Sequence, residues 1–446
     1  MIYSSLLFCR VNYPTNKTTF EKRASGFEIR TGIELRKTLS ANFETNGCIM
    51  TYMYEYPEYE PIKLTEVARQ RFPKYRLYVY GEGKYSEKHK DGKFSGIPVL
   101  YIPGNSGSYK QVRSMGSVAL RKAEDQNQYK LHFDYFAVDF NEEFSAIYGG
   151  VLEDQTLFVS HCVEHILKLY QSPSANQKFM LGHSIGGLIA KALFTDPKFD
   201  PYKVHTIITL ATPHTPVIVM DRYTREFYSK IDAFWEDQRK TNLSHVTMYS
   251  IGGGSRDIQV RSGLTTSASA DLNVITTAAP GVWVSTDHQC IVLCKQLVLA
   301  LNRALFDCIN PLTHQMTLNK EHRKEVFAYH LHQRSGGKRF KAKEQHPVTM
   351  RFDKDGYWSD ILKRQFVFTR SNVTCNTYVM IKVLDDPKHR WLTLDAINMD
   401  NDNWVFGCKA STVYKNTRIC ESGDNLSSQS YLIPSNGLRK TIQVRT

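Results

Sequence analysis

One serine in this chain sits where it could act as a nucleophile. Gly182-His183-Ser184-Ile185-Gly186 follows an apolar run, Phe179 to Leu181, and leads into a helix-like stretch from Gly187 to Phe194. A Gly-x-Ser-x-Gly pentapeptide between strand and helix is a nucleophile elbow, a sharp, strained turn that lifts the hydroxyl to the end of a sheet. Its glycines are required because a Cβ at either place would strike the neighbouring strand or helix. The helix N-terminus beneath Ser184 favours developing negative charge. The chemistry this points to is acyl transfer through a covalent serine ester.

Such a serine needs a base, an acid to orient the base, and donors for an oxyanion. The backbone N–H of Ile185 is one donor, and the second is expected from a loop after an early strand. Pro98 to Ile102 reads as that strand and Pro103-Gly104-Asn105-Ser106-Gly107-Ser108 as the loop, which nominates the N–H of Asn105. Acid and base should follow the serine in that order. Asp257 stands just after a strand-like run, Thr247 to Ile251, and its breaker Gly252-Gly253-Gly254. Asp221 and Asp287 compete, but Asp221 opens a helical segment where it would cap, and Asp287 adjoins the histidine too closely to reach its Nδ1. His288 closes the short loop Trp283 to His288 ahead of the last long helix, Gln289 to Phe306, and is the expected base. This chemistry needs no metal and no cofactor.

The elements that must position these groups alternate strand and helix as a doubly wound, mostly parallel sheet demands, which predicts an α/β fold of the α/β-hydrolase type. At 446 residues with 41% hydrophobic content, the chain has room for this domain and a second. The expected division is a poorly ordered leader over 1–47, a hydrolase domain over 48–306 and a linker over 307–345. An incomplete, sandwich-like β domain over 346–446 follows, read from short extended segments such as Thr377 to Val383 and Trp391 to Ile397. An insertion over 214–242 lies where lipases of this fold carry a lid. Tyr223, Phe227, Tyr228, Ile231, Phe234 and Trp235 give it an apolar stripe at helical spacing, which suits either core packing or a substrate groove.

Other features carry less. His161-Cys162-Val163-Glu164-His165 fits an HxxEH zinc pattern, but its helix precedes the elbow strand as packing, and no further ligand cluster follows. Cys290 and Cys294 lie one turn apart on the last helix and are expected as buried free thiols. The formal charge of +13 brings no nucleic-acid recognition fold with it. It reads as a solvated basic surface, with Lys338 to Lys343 the best candidate for meeting anionic lipid headgroups. No stretch is long and apolar enough to cross a bilayer.

Six blocks in one order carry a resemblance: IPGNSGSYKQVRS (102–114), DFNEEFSAIYGG (139–150), LGHSIGGLIAKAL (181–193), TLATPH (209–214), RDIQVRSGLT (256–265) and WVSTDHQCIVLCKQL (283–297). Together they resemble the luminal part of the GPI inositol-deacylase family, from about Cys48 to Phe306 strongly and through DNWVFGC (402–408) more weakly. The resemblance implies removal of the fatty acyl chain from the inositol of a glycosylphosphatidylinositol anchor. It puts Ser184 as nucleophile and His288 as base, GPI-anchored proteins as substrates, and the membrane of the endoplasmic reticulum, facing the lumen, as the site of action. The family continues into membrane helices, so the chain reads as a truncated form. A long acyl chain would need an apolar groove, for which Tyr223, Phe227, Phe234 and Trp235 are the first candidates. The lumen would allow a disulfide in the β domain, with Cys408–Cys420 the expected pair. Asn16, Asn242, Asn372 and Asn425 each head an N-x-Ser/Thr sequon.

Overall fold

A computed structural model describes residues 6–11, 25–30, 47–125, 131–170, 178–216, 221–334, 339–340, 348–352, 365–370, 377–382, 391–397, 403–414, 417–434 and 439–445. The chain forms two units, one built from 45–328 and one from 1–44 together with 329–446. Two described strands of the stretch expected as a leader, β1 (Leu6–Val11) and β2 (Ser25–Arg30), belong to the second unit.

The unit over 45–328 contains strands β3 (Pro57–Pro61), β4 (Arg76–Glu82), β5 (Ile97–Ile102), β6 (Phe133–Asp139), β7 (Lys178–His183), β8 (Val204–Leu210), β9 (Thr247–Gly252) and β10 (Leu272–Ile275). They form one sheet in the order β10-β9-β8-β7-β5-β6-β4-β3. Pairing is parallel from β10 through β6 and antiparallel only where β4 joins β6 and β3 joins β4. The central strands are nearly continuous apolar runs because helices cover both faces. Every residue of β5, Ile-Pro-Val-Leu-Tyr-Ile, is buried. β5 lies between β6, which follows it, and β7, which comes later. Strand order thus reverses at β5, and the loops leaving the carboxyl ends of β5 and β7 open onto a switch-point crevice.

The helices are α1 (Glu66–Arg71), α2 (Gly83–Lys90), α3 (Arg113–Asp125), α4 (Leu152–Leu169), α5 (Ile185–Ala192), α6 (Arg222–Gln238), α7 (Lys295–Asp307) and α8 (Lys320–Leu331). Period-two alternation divides the strands between two faces. Phe136 and Val138 join Leu100, Ile102 and the apolar faces of α4, α5 and α6 in one core. Phe133 and Tyr135 point the other way, and the Phe133 ring meets Phe306 of α7 edge-on at 5.0 Å. The region expected as a linker from 307 contains α8. Its Arg323 is fully buried and donates to the carbonyls of Thr317 and His245, each at 2.7 Å. At the edge of this unit Cys48 is bridged to Cys294, with Cα atoms 5.2 Å apart. Cys294 is accordingly not one of a free pair with Cys290, as its spacing had suggested; Cys290 alone of the two is free. Helical spacing ranks local neighbours but says nothing of a partner 246 residues away.

In the other unit, β11 (Val348–Phe352), β12 (Gln365–Arg370), β13 (Thr377–Lys382), β14 (Trp391–Ile397), β15 (Val405–Tyr414), β16 (Thr417–Asn425), β17 (Tyr431–Ile433) and β18 (Arg439–Arg445) join β1 and β2. They make two antiparallel five-stranded sheets, β11-β16-β15-β1-β13 and β12-β2-β14-β18-β17. Val379, Ile381, Leu394, Val405, Ile442 and the fully buried Trp404 fill a shared core drawn from both sheets, as in a sandwich. Cys408 is disulfide-bonded, whereas the side chain of Cys420, its expected partner, lies outside the described ones. Among the described residues no helix is long and apolar enough to cross a membrane. The basic run over 338–343 falls outside the described residues except for Arg339 and Phe340.

Candidate active site

β7 ends at His183, and Ser184 turns the chain into α5 with φ 54° and ψ −130°, a conformation that non-glycine residues avoid. The turn fits because the glycines that flank it carry no side chain. A Cβ on Gly182 would lie 2.5 Å from the Gly187 Cα, and one on Gly186 would lie 2.4 Å from the Ile102 carbonyl oxygen at the end of β5. The Ser184 N–H is held by the Leu210 carbonyl of β8 at 2.9 Å, so the strained residue is fixed from the sheet side. Ser184 stands at the N-terminus of α5, where the Ile185 N–H opens the helix.

The loop after β5 closes against the serine. A Cβ on Gly104 would sit 2.5 Å from the Ser184 Cβ and 3.2 Å from its Oγ, so glycine is obligatory there for the approach. Around Asn105 the neighbouring amides are committed: Ser106 donates to the Glu143 carbonyl at 2.9 Å and Gly107 to the Gly104 carbonyl at 3.0 Å. The Asn105 side chain turns away from the serine, its Oδ1 accepting the Ala146 N–H at 2.9 Å. Its backbone is therefore anchored beside Ser184 by its own side chain.

Asp257 and His288, the expected acid and base, are brought together. Asp257 Oδ2 lies 3.0 Å from His288 Nδ1, both groups buried. The other carboxylate oxygen, Oδ1, accepts the N–H groups of Val260 at 2.8 Å and Gln259 at 3.1 Å, which fixes the plane of the carboxylate. The two loops are tied by backbone: Thr286 N–H donates to the Gly253 carbonyl at 2.7 Å, and the Thr276 hydroxyl donates to the same oxygen at 2.8 Å. The competing acids are engaged elsewhere. Asp221 caps α6 through the Thr224 N–H and also accepts from Gly149, and Asp287 accepts from Gln289 and Cys290.

Inside the elbow, the variable residue His183 is buried and donates from Nε2 to the His288 carbonyl at 2.8 Å, with the two rings 4.9 Å apart. Burial, reinforced by the nearby His288, pushes the His183 pKa down to about 4, so its ring is neutral and keeps the Nε2 proton for this bond. His183 was visible in the pentapeptide, but nothing in the motif signals its partner. The apolar stripe on α6 resolves differently from a substrate groove. Phe227, Tyr228, Ile231 and Trp235 are core residues; Trp235 Nε1 donates to the Lys191 carbonyl at 3.0 Å and its ring meets Phe194 edge-on at 5.3 Å. Phe234 packs half-buried on the same core, and only Tyr223 is exposed, with its ring 5.7 Å from that of Tyr148. Periodicity marks a face for burial without saying what buries it, and here it is the protein's own sheet. His161 of the zinc-like pattern packs on Phe72, and among the described residues no cluster of three or more His, Cys, Asp or Glu could hold a metal ion.

An elbow beside the switch strand, with acid and histidine arriving from later strands of the same sheet, is the arrangement of the α/β-hydrolase fold. Residues 93–308 match the PGAP1-like alpha/beta domain. It is 41% identical over 404 residues to a GPI inositol-deacylase of Rattus norvegicus, covering 88% of this chain and 42% of that one. It is 39% identical over 412 residues to the enzyme of that name in Xenopus laevis, with 88% and 42% covered. To the Schizosaccharomyces pombe protein it is 36% identical over 319 residues, with 64% and 28% covered. The chain thus spans less than half the length of these relatives. Among solved structures it is similar to TT1662 of Thermus thermophilus, at 12% identity and a TM-score of 0.37 over 55% of this chain and 98% of that one.

Proposed function

We propose that this chain carries the catalytic site of a GPI inositol-deacylase, a serine ester hydrolase that removes the fatty acyl chain from the inositol of a GPI anchor. The observation that carries the reading is the buried Asp257–His288 pair at 3.0 Å, brought up against the elbow that holds Ser184. Ser184 Oγ attacks the acyl carbonyl while His288 Nε2 takes its proton. Asp257 keeps the other ring proton on Nδ1 and stabilises the imidazolium. The carbonyl oxygen becomes an oxyanion between the N–H groups of Ile185 and Asn105. As the carbon–oxygen bond to inositol breaks, His288 returns its proton to the departing inositol oxygen. Water then attacks the acyl-serine by the same route, and the fatty acid leaves with Ser184 restored.

On this reading the substrates are GPI-anchored proteins at a lipid surface, and the site of action is the endoplasmic reticulum membrane on its luminal side. The Cys48–Cys294 disulfide suits that oxidising compartment. Of the sequons, Asn242 is exposed just beyond α6 and is the best candidate for a glycan. Asn425 is half-buried, and Asn16 and Asn372 lie outside the described residues. Fluorophosphonate labelling tests the chemistry: the chain should be labelled at Ser184, and Ser184→Ala should abolish labelling. An unlabelled wild-type chain overturns the proposal. Cleavage of inositol-acylated glycolipid in preference to simple phospholipid tests the substrate, and equal cleavage of both would mark a broader lipid esterase instead.

A further inference from the structure

The loop from Phe140 to Tyr148, between β6 and α4, has no assigned task, yet it is built onto the loop that holds Asn105. Its Glu143 carbonyl accepts the Ser106 N–H, and its Ala146 N–H donates to Asn105 Oδ1, both at 2.9 Å. From beneath, Glu143 Oε2 accepts the Tyr75 hydroxyl at 2.6 Å and the Gln155 amide at 3.2 Å. The amides of Ile147 and Tyr148 both donate to the Phe144 carbonyl at 3.1 Å, closing a single turn. This well-anchored turn leaves its large apolar side chains in solvent: Phe144 is 61% exposed, Ile147 72% and Tyr148 54%. Tyr223, at the first turn of α6, extends the patch at 53% exposure, and Gly149 N–H holds the two elements together through Asp221 Oδ2 at 2.7 Å. Single exposed apolar side chains are ordinary, but three on a turn bonded to the loop of Asn105, with Tyr223 beside Tyr148, mark a binding surface.

We infer that Phe144, Ile147, Tyr148 and Tyr223 receive the long acyl chain of the ester, which the stripe of α6 is too deeply buried to do. The inference rests on the reaction proposed above, because that reaction fixes where the chain begins. A carbonyl oxygen held by the Asn105 and Ile185 N–H groups leaves the first methylenes beside Asn105. The apolar surface bonded to Asn105 is this turn. Each methylene laid on it leaves water, so affinity should grow with chain length.

The test compares C16 and acetyl esters of the same alcohol, below their aggregation limits, on the full chain and on the double variant Phe144→Ser, Ile147→Ser. The kcat/KM ratio of C16 to acetyl should fall at least about tenfold, through KM, with the melting temperature held. Phe144→Leu with Ile147→Leu should restore the ratio, since bulk and apolarity suffice. A ratio that does not change, or an equal loss on both esters, overturns the assignment. So does a variant that loses adsorption to phosphatidylcholine vesicles while keeping its ratio, because the patch would then be a bilayer contact. A second readout is independent of turnover: in Ser184→Ala, the dissociation constant for a fluorescent C16 fatty acid should rise about tenfold with the same double substitution. Should the wild type cleave neither ester yet bind the probe through this patch, the reaction falls and the binding site stands. Failure of the probe to sense the substitution sinks the binding site alone.

Discussion

Replacing Asp257 by Asn is the sharpest probe of the catalytic geometry, because the substitution keeps the shape and reverses one hydrogen bond. Two backbone amides, those of Val260 and Gln259, already point at Oδ1, so the Asn carbonyl oxygen belongs there. The amide nitrogen must then face His288 Nδ1, which forces that ring nitrogen to accept. The proton moves to Nε2, the atom that should take the serine proton, and the base is lost. In other triads this inversion costs about 10⁴ in kcat, equivalent to about 5 kcal/mol of transition-state stabilisation. Stability should fall by no more than about 1 kcal/mol, since both backbone bonds persist. The assay is turnover of a soluble short-chain ester alongside melting curves, with Asp287→Asn and Asp221→Asn as controls. Both controls keep a capping oxygen, since Asn caps about as well as Asp, and should cost no more than about 1 kcal/mol of stability while leaving the ring tautomer alone. A nearly silent Asp257→Asn, or a control that loses activity as heavily, would refute the assignment of the acid.

Three further outcomes follow from burial and bonding. Trp235→Ala should cost about 3 to 5 kcal/mol of stability without altering the preference between long and short esters, and a shift in that preference would return α6 to the substrate site. Acid should destabilise the chain between about pH 6.5 and 4: the His183 ring stays neutral in the fold with its pKa pushed down to about 4, so the unfolded chain binds more protons in that window. Its contribution is present above 6.5 and lost as pH falls through 4, worth on the order of 3 kcal/mol, and melting temperatures of His183→Gln should vary less steeply over this range. Cys48→Ser, or reduction, should lower stability by roughly 2 to 5 kcal/mol, because the bridge closes a loop of most of this unit; an unchanged melting temperature would show that the bridge adds nothing.

What was legible in the residues follows the range of the interaction that fixes each feature. The elbow could be read because its strand, strained serine and glycines lie within about a dozen residues, and each has a steric reason. Asp257 and His288 could be nominated because the fold orders acid and base after the serine, with Asp221 set aside as a cap and Asp287 for its closeness to the histidine. The pairing of the strands in the leader was not legible, for the opposite reason. β1 pairs with β13 and β15, and β2 with β12 and β14, partners more than 300 residues away, so neither short strand has a local signature of what it joins. The Cys48–Cys294 bridge shares that cause. The α6 stripe stayed open between packing and groove for another: an amphipathic helix presents the same pattern whether it covers a sheet or a ligand. Phe144, Ile147 and Tyr148 stand at i, i+3 and i+4, a helical spacing over a single turn too short to mark an element, and the role proposed for them rests on the loop beneath them being bonded to Asn105.

The sheet explains why these pieces can act on one ester. β7, β5 and β6 are adjacent strands, and the loops that leave their carboxyl ends carry the serine, the anchored Asn105 and the apolar turn in that spatial order. Each loop leans on the next: Gly104 fits against Ser184, and the side chain of Asn105 and the amide of Ser106 bind the turn over 143–146. On the other side of β7, the loops after β9 and β10 carry Asp257 and His288, coupled through Gly253 and Thr286, and His183 ties this pair back to the elbow. This row of strand ends sets Ser184, Asn105 and the apolar turn side by side, with Asp257 and His288 beyond β7. On the proposed reading, Asn105 offers its N–H to the oxyanion while its side chain holds the turn, so placement of the carbonyl and of the acyl chain would meet in one residue.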